Sequence, residues 1–137
     1  MLQFGIFLHS LVVGFMLFFM AVVSPTIFKV LDETNSGAFL RQLFPRMFLY
    51  GLIAMSLAFL TNLNSQLNIY WIISAISSIF FAINLYIITP KINYHRDEAK
   101  LGNSLSEKKF KQFHLFSVAL FILQLLGSLY LLLIYYY

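Results

Sequence analysis

The sequence predicts an all-α membrane protein: a polytopic four-helix bundle with no soluble module. Three observations carry that prediction. First, only 10% of the 137 residues are charged and 61% are hydrophobic, whereas a soluble domain carries roughly 25% charge because its surface must face water. Second, residues 4–28, 47–63, 69–88 and 112–136 contain no Asp, Glu, Lys or Arg, and about 20 such residues cross the hydrocarbon core as a helix. Third, all nine Lys and Arg fall in two of the three connections between those runs. The whole chain, residues 1–137, reads as one membrane domain.

The elements follow in order. The first run lacks the basic start and small-residue cleavage site of a signal peptide, so it reads as a retained helix. It carries His9, Ser10, Gly14, Ala21 and Ser24 before Pro25. In the first connection Phe39, Leu40, Leu43, Phe44 and Met47 share one helical face away from Arg41 and Arg46. That pattern predicts an amphipathic helix lying in the headgroup plane, bent into the second span at Pro45. The connection "TNLNSQLN" leads to a third run bearing Ser74, Ser77 and Asn84. After Pro90, the stretch "RDEAKLGNSL" reads as a mobile turn with His95 in solvent beside it. Ser104 and Glu107 have capping-box spacing at the start of the fourth helix. That helix presents His114, Ser117, Phe121, Gln124 and Ser128 at helical intervals.

Part of the chain is written twice. "SPTIFKVLDETNSG" begins at Ser24 and "TPKINYHRDEAKLG" begins sixty-five positions later at Thr89. Without a gap they share a hydroxyl residue, Pro25/Pro90, Ile27/Ile92, Asp32/Asp97, Glu33/Glu98 and Gly37/Gly102. Proline kinks or terminates a helix and glycine tolerates a turn, so each copy marks a helix leaving the membrane on the same side. Two helical hairpins in the same orientation form a parallel 2+2 repeat about an axis along the membrane normal.

Charge placement predicts orientation. Lys- and Arg-rich short loops stay cytoplasmic, which puts both termini outside, in a bacterial inner membrane. Tyr70, Trp71 and the closing "YYY" then lie at the outer interface, where such rings prefer to sit. The net charge of +4 is explained by the inner loops, whose partners are anionic lipid headgroups. No nucleic-acid motif accompanies it. A bundle of four spans is thin, so self-association through Ser10–Gly14 or docking in a larger membrane complex is expected.

The motifs resemble a known family. "FLH" in the first span, "VVSPTIFKVLDETNSGAFLRQLFPRMF" and the late "FKQFHLFS" look like the transmembrane protein 205-like family, catalogued as a domain of unknown function. The best-matched stretch is "SGAFLRQLFPRMF", with Gly37 and the Phe44–Pro45 pair. The resemblance implies a small multipass membrane protein of a kind found in bacteria and eukaryotes, the eukaryotic members being linked to resistance to a platinum drug. It marks His9, Phe44, Pro45 and His114 as positions to watch and supplies no catalytic set.

No Asp, Glu, Lys or Arg lies within the four runs, which argues against a tightly coupled pump. The polar groups left there are His9, Ser74, Ser77, Asn84, His114, Ser117 and Gln124. Such residues either glue helices together or line a conduit along the bundle. The leading expectation is a non-enzymatic transporter or channel-like protein for a small solute or ion along that seam. A haem or metal protein in redox or tetrapyrrole chemistry is the second, with His9 and His114 as candidate haem b or copper ligands. The two histidines stand near opposite ends of the bundle, on the order of 15–20 Å apart axially, so one iron could not take both from a single chain. Met16, Met20, Met47 and Met55 offer soft sulfur for copper, with none at ligand spacing from His9. No cofactor is expected from these residues. The third expectation is an accessory subunit whose seam packs against a larger complex. With no cysteine, disulfide and thiol chemistry are excluded for these residues.

Overall fold

The computed structural model describes residues 1–137 and is 91% helical with no strand. Four helices make up the chain: α1 (Leu2–Val30), α2 (Glu33–Asn62), α3 (Ile69–Lys100) and α4 (Ser104–Tyr136). All four are long and apolar enough to cross a membrane, and the protein is an integral membrane protein with an all-α, four-helix fold. Short turns make neighbouring helices antiparallel. Helices α1 and α3 each pack on α2 and α4, and face one another across the bundle diagonal through side chains alone.

The polarity is inverted relative to a water-soluble bundle. Leu11, Phe18, Ile53, Leu60, Ile79 and Leu123 are exposed on the outside, where lipid is the solvent. His9, Asn62, Asn84, Gln124 and Ser128 are at most 1% exposed, because a polar side chain in hydrocarbon needs a partner inside the bundle. Between the polar groups lies an apolar core that includes Val12, Met16, Met55, Phe48, Phe81 and Phe121. Gly51 lets α2 approach α3 closely, since a Cβ there would collide with the Phe81 ring.

The repeat extends from sequence into helix geometry. Helix α1 contains a π turn at Phe19–Val23 and α3 another at Asn84–Ile88. Each is followed at once by the hydroxyl–proline pair, Ser24-Pro25 or Thr89-Pro90. Proline has no N–H to return to the preceding turn, and its ring crowds the carbonyl there. A wider turn before it accommodates both defects. The two π turns keep the sixty-five-residue offset of the repeat.

Past the prolines the copies part. In the first, the helix stops at Val30, Leu31 is extended, and Asp32 caps α2 by accepting the Asn35 N–H at 2.8 Å. That bond and the Asn35 side-chain amide hold the Asp32 carboxyl below its ordinary range. In the second copy the helix continues to Lys100 and turns at Gly102, whose φ of +91° suits glycine. Aligned Asp32 and Asp97 therefore differ in role, since Asp97 lies on α3 and pairs with Arg41 at 2.6 Å.

Several local expectations change. The amphipathic stretch around Phe39–Met47 forms the start of α2, one unbroken helix that continues past Pro45 into the span. The lost hydrogen bond does not break the helix, because Phe44 and Phe48 stack at 5.7 Å across the proline and Phe44 packs on Phe19. The cap of α4 is Asn103, which accepts the Ser106 N–H at 3.1 Å; Ser104 is already helical, and Glu107 pairs with Lys111. Much of "RDEAKLGNSL" is helical, with the turn confined to Leu101–Asn103. His95 bonds to Ser106 at 3.2 Å and stacks on Phe113 at 5.6 Å, so it is held between α3 and α4 and not free in solvent.

Candidate functional site

The polar groups form a knot near the tyrosine-rich end of the bundle. His9 Nε2 lies 2.9 Å from Ser74 Oγ, and His9 Nδ1 lies 2.9 Å from Ser128 Oγ. Ser74 donates its single hydroxyl proton to the Tyr70 carbonyl at 2.7 Å. It must therefore accept from His9, which puts the imidazole proton on Nε2. Nδ1 is then the acceptor for the Ser128 hydroxyl. Asn62 Nδ2 adds a fourth contact, donating to Ser74 at 3.3 Å. His9 and Ser74 occupy equivalent positions of the two copies, sixty-five residues apart.

Further along α4 the partners thin out. Gln124 Nε2 donates to the Ser77 carbonyl at 3.1 Å, and Ser117 donates to Asn84 Oδ1 at 2.7 Å. Asn62 Oδ1, Gln124 Oε1 and Asn84 Nδ2 are buried without any partner. A buried polar atom left unpaired costs about 1–3 kcal/mol, and native structures carry few of them. Here three stand at successive levels of one bundle. Gly5 belongs to the same arrangement, because a Cβ there would collide with the Asn62 side chain.

An aromatic layer crosses the seam between Gln124 and the Ser117–Asn84 pair, toward the basic end. Phe48 and Phe81 lie 6.4 Å apart by ring centroid, and Phe19 and Phe121 6.3 Å. Below it is a cavity of about 620 Å³, whose wall includes Ser117, Phe121, Thr89 and Ser24, with Arg41, Arg96 and Glu33 toward its mouth. Ser117 thus touches both the cavity and the seam.

His9, Ser74, Ser77, Asn84, Ser117 and Gln124 are all buried along the bundle interior, as the sequence reading grouped them. His114 is not among them. It is exposed, stacks on Phe110 at 6.1 Å and lines the cavity. It stands about four turns along α4 from Ser128, on the order of 20 Å from His9. The motif residues serve structure: Pro25 and Pro90 follow the π turns, Phe44 and Pro45 shape α2, Gly102 makes a turn, and Gly37 takes the Arg96 guanidinium against its Cα. The sequence reading missed Asn62, which it placed in the connection "TNLNSQLN"; its burial against Gly5 on another helix left no signal in one dimension.

Within the seam, His9 offers no free nitrogen to haem or copper. Both His9 nitrogens are engaged by serine hydroxyls. Met16 is buried while Met20, one turn on, faces outward. No cluster of three His, Cys, Asp or Glu could hold a metal ion.

A family model described as "Domain of unknown function (DUF4149)" matches residues 7–101. The chain belongs to this family. The DUF4149 match takes in the first copy of the repeat, the second as far as Leu101, both π turns, His9, Asn62, Ser74 and Asn84. The α4 side chains that complete the seam, Ser117, Gln124 and Ser128, lie beyond it. No curated protein and no solved structure matches the chain.

Proposed function

We propose that this DUF4149 protein is a non-enzymatic membrane carrier or channel-like protein that moves a small solute or ion along its polar seam. One observation carries the reading: three buried, half-bonded amides (Asn62, Gln124 and Asn84) stand in line from the His9 knot toward a large cavity. Glue would satisfy its polar atoms. A path for a hydrated permeant leaves acceptors and donors for it. The cavity forms the vestibule, the Phe48–Phe81–Phe121 layer the constriction, and the His9 knot the far gate. Rocking of two similar hairpins about the pseudo-axis would exchange open ends.

The basic end is assigned to the cytoplasm and both termini to the outer face of a bacterial inner membrane, supported by the Lys and Arg placement. The finer kinship, to the transmembrane protein 205-like family, is supported by "SGAFLRQLFPRMF". Self-association is supported by Ser10 and Gly14 on the outer surface of α1, where Gly14 meets nothing in its own chain. Purified protein in proteoliposomes should support solute or ion flux that Gln124→Leu abolishes while the fold survives. Absence of flux across a panel of small cations, anions and neutral solutes would overturn the reading.

A further inference from the structure

We propose that the basic-end cavity binds a single-chain anionic amphiphile, one hydrocarbon chain with a carboxylate or phosphate-type head, entering sideways from the bilayer between α1 and α4. The gap comes from the broken repeat. Beyond its π turn, α1 approaches only α2, and no backbone approach joins its Ser24–Val30 segment to α4. The equivalent part of α3 packs along α4. The cavity wall on the two lips consists of Met20 and Phe28 on α1 and Val118 and Ile122 on α4, all of them exposed on the surface. A guest can therefore reach the interior without leaving hydrocarbon.

Inside, the chemistry is divided. Phe19, Phe44 and Phe121 offer an apolar wall to a chain. Two guanidinium groups stand at the polar mouth. Arg41 is already paired with Asp97. Arg96 is half-buried, lies against Gly37, and has neither a carboxylate nor a hydrogen-bond partner. A half-buried guanidinium without a partner favours an acidic guest, whose two oxygens match its fork. Glu33 also lines the cavity and opposes an anion beside it. The volume of about 620 Å³ lies within the roughly 300–1,000 Å³ usual for small-molecule sites.

This reading stands on the cavity and does not need transport. The test is equilibrium binding of oleate to the full chain in zwitterionic nanodiscs, with oleyl alcohol and inorganic phosphate as controls. Oleate should bind saturably at one per chain, and Arg96→Gln should weaken it by about tenfold. Ile122→Trp, on the lipid-facing lip, should also weaken it without touching charge, while Lys109→Gln should leave it unchanged. Thermal midpoints of each variant separate lost binding from lost fold. Equal binding of the alcohol, an unchanged Arg96→Gln, or an equal loss in Lys109→Gln would each overturn the proposal. Full competition by inorganic phosphate would make the vestibule a free-anion site and overturn it as well. Flux without oleate binding would sink this inference alone, and oleate binding without flux would sink only the transport reading.

Discussion

The two copies of the repeat begin alike and end differently. Each has a π turn, a hydroxyl residue and a proline at the same offset. After the proline, copy two is tied down by Arg41–Asp97, His95–Ser106 and the His95–Phe113 stack, with Lys91 over the Phe113 ring at 5.2 Å. Copy one has no such ties and stops at Val30, splayed from α4. The proline and its π turn therefore set a bend without setting where the helix goes next. The polar residues that follow decide whether the bend is packed or left open, and the open one makes the cavity.

The largest expected effect lies where the copies meet. His9→Ala removes an imidazole, strands the Ser128 hydroxyl and takes one donor from Ser74, and should lower unfolding stability by about 2–5 kcal/mol. Ser74→Ala, at the equivalent position, should cost about 1–3 kcal/mol. Denaturation in mild detergent would rank them, and equal losses would count against His9 as the hub. Next comes Gly51→Val, which forces the Phe81 ring of α3 and should cost about 1–3 kcal/mol by overpacking. Gly14→Ala, on the open outer face of copy one, should not destabilise the same assay.

A smaller effect sharpens the asymmetry at the basic end. His95→Ala should loosen the α3–α4 packing by about 1 kcal/mol. Phe28→Ala, on the splayed lip, should change stability by less than about 0.5 kcal/mol. Opposite ranking would mean that copy one is the packed arm. The smallest concerns the Asp32 cap. Its folded carboxyl sits below the ordinary range, so its contribution is present above the unfolded pKa and is lost as pH falls through the folded one. Wild-type stability should thus decline on acidification more than that of Asp32→Asn, which keeps a cap oxygen without titrating.

Much of this was legible beforehand because lipid makes simple demands on sequence. Uncharged runs of spanning length gave the helices, and the doubled Ser/Thr-Pro gave the repeat, since proline acts locally. Polar residues on a helical stripe gave the seam for the same reason: in hydrocarbon they can only face inward. His114 was misplaced because it lies past the end of the apolar packing, where a helical stripe no longer dictates burial. Asn62 was missed because a neighbouring Asn–Ser–Gln stretch reads as turn, and only the close approach of Gly5 on another helix reveals its burial. The splay of α1 was illegible for a related reason. It depends on ties made by Asp97 and His95 across helices, and aligned positions such as Asp32 and Asp97 look interchangeable in one dimension.

In the proposed path the interior is open from the basic end as far as Ser117 and closed beyond the aromatic layer. The chain has no cysteine of its own, so single substitutions report cleanly. Ser117→Cys and Ser128→Cys should be compared in proteoliposomes for reaction with a small, membrane-impermeant thiol reagent applied from the basic side. Rapid labelling at 117 and protection at 128 is the predicted result. Protection of both, or equal labelling of both, would contradict a vestibule that ends at the Phe48–Phe81–Phe121 layer.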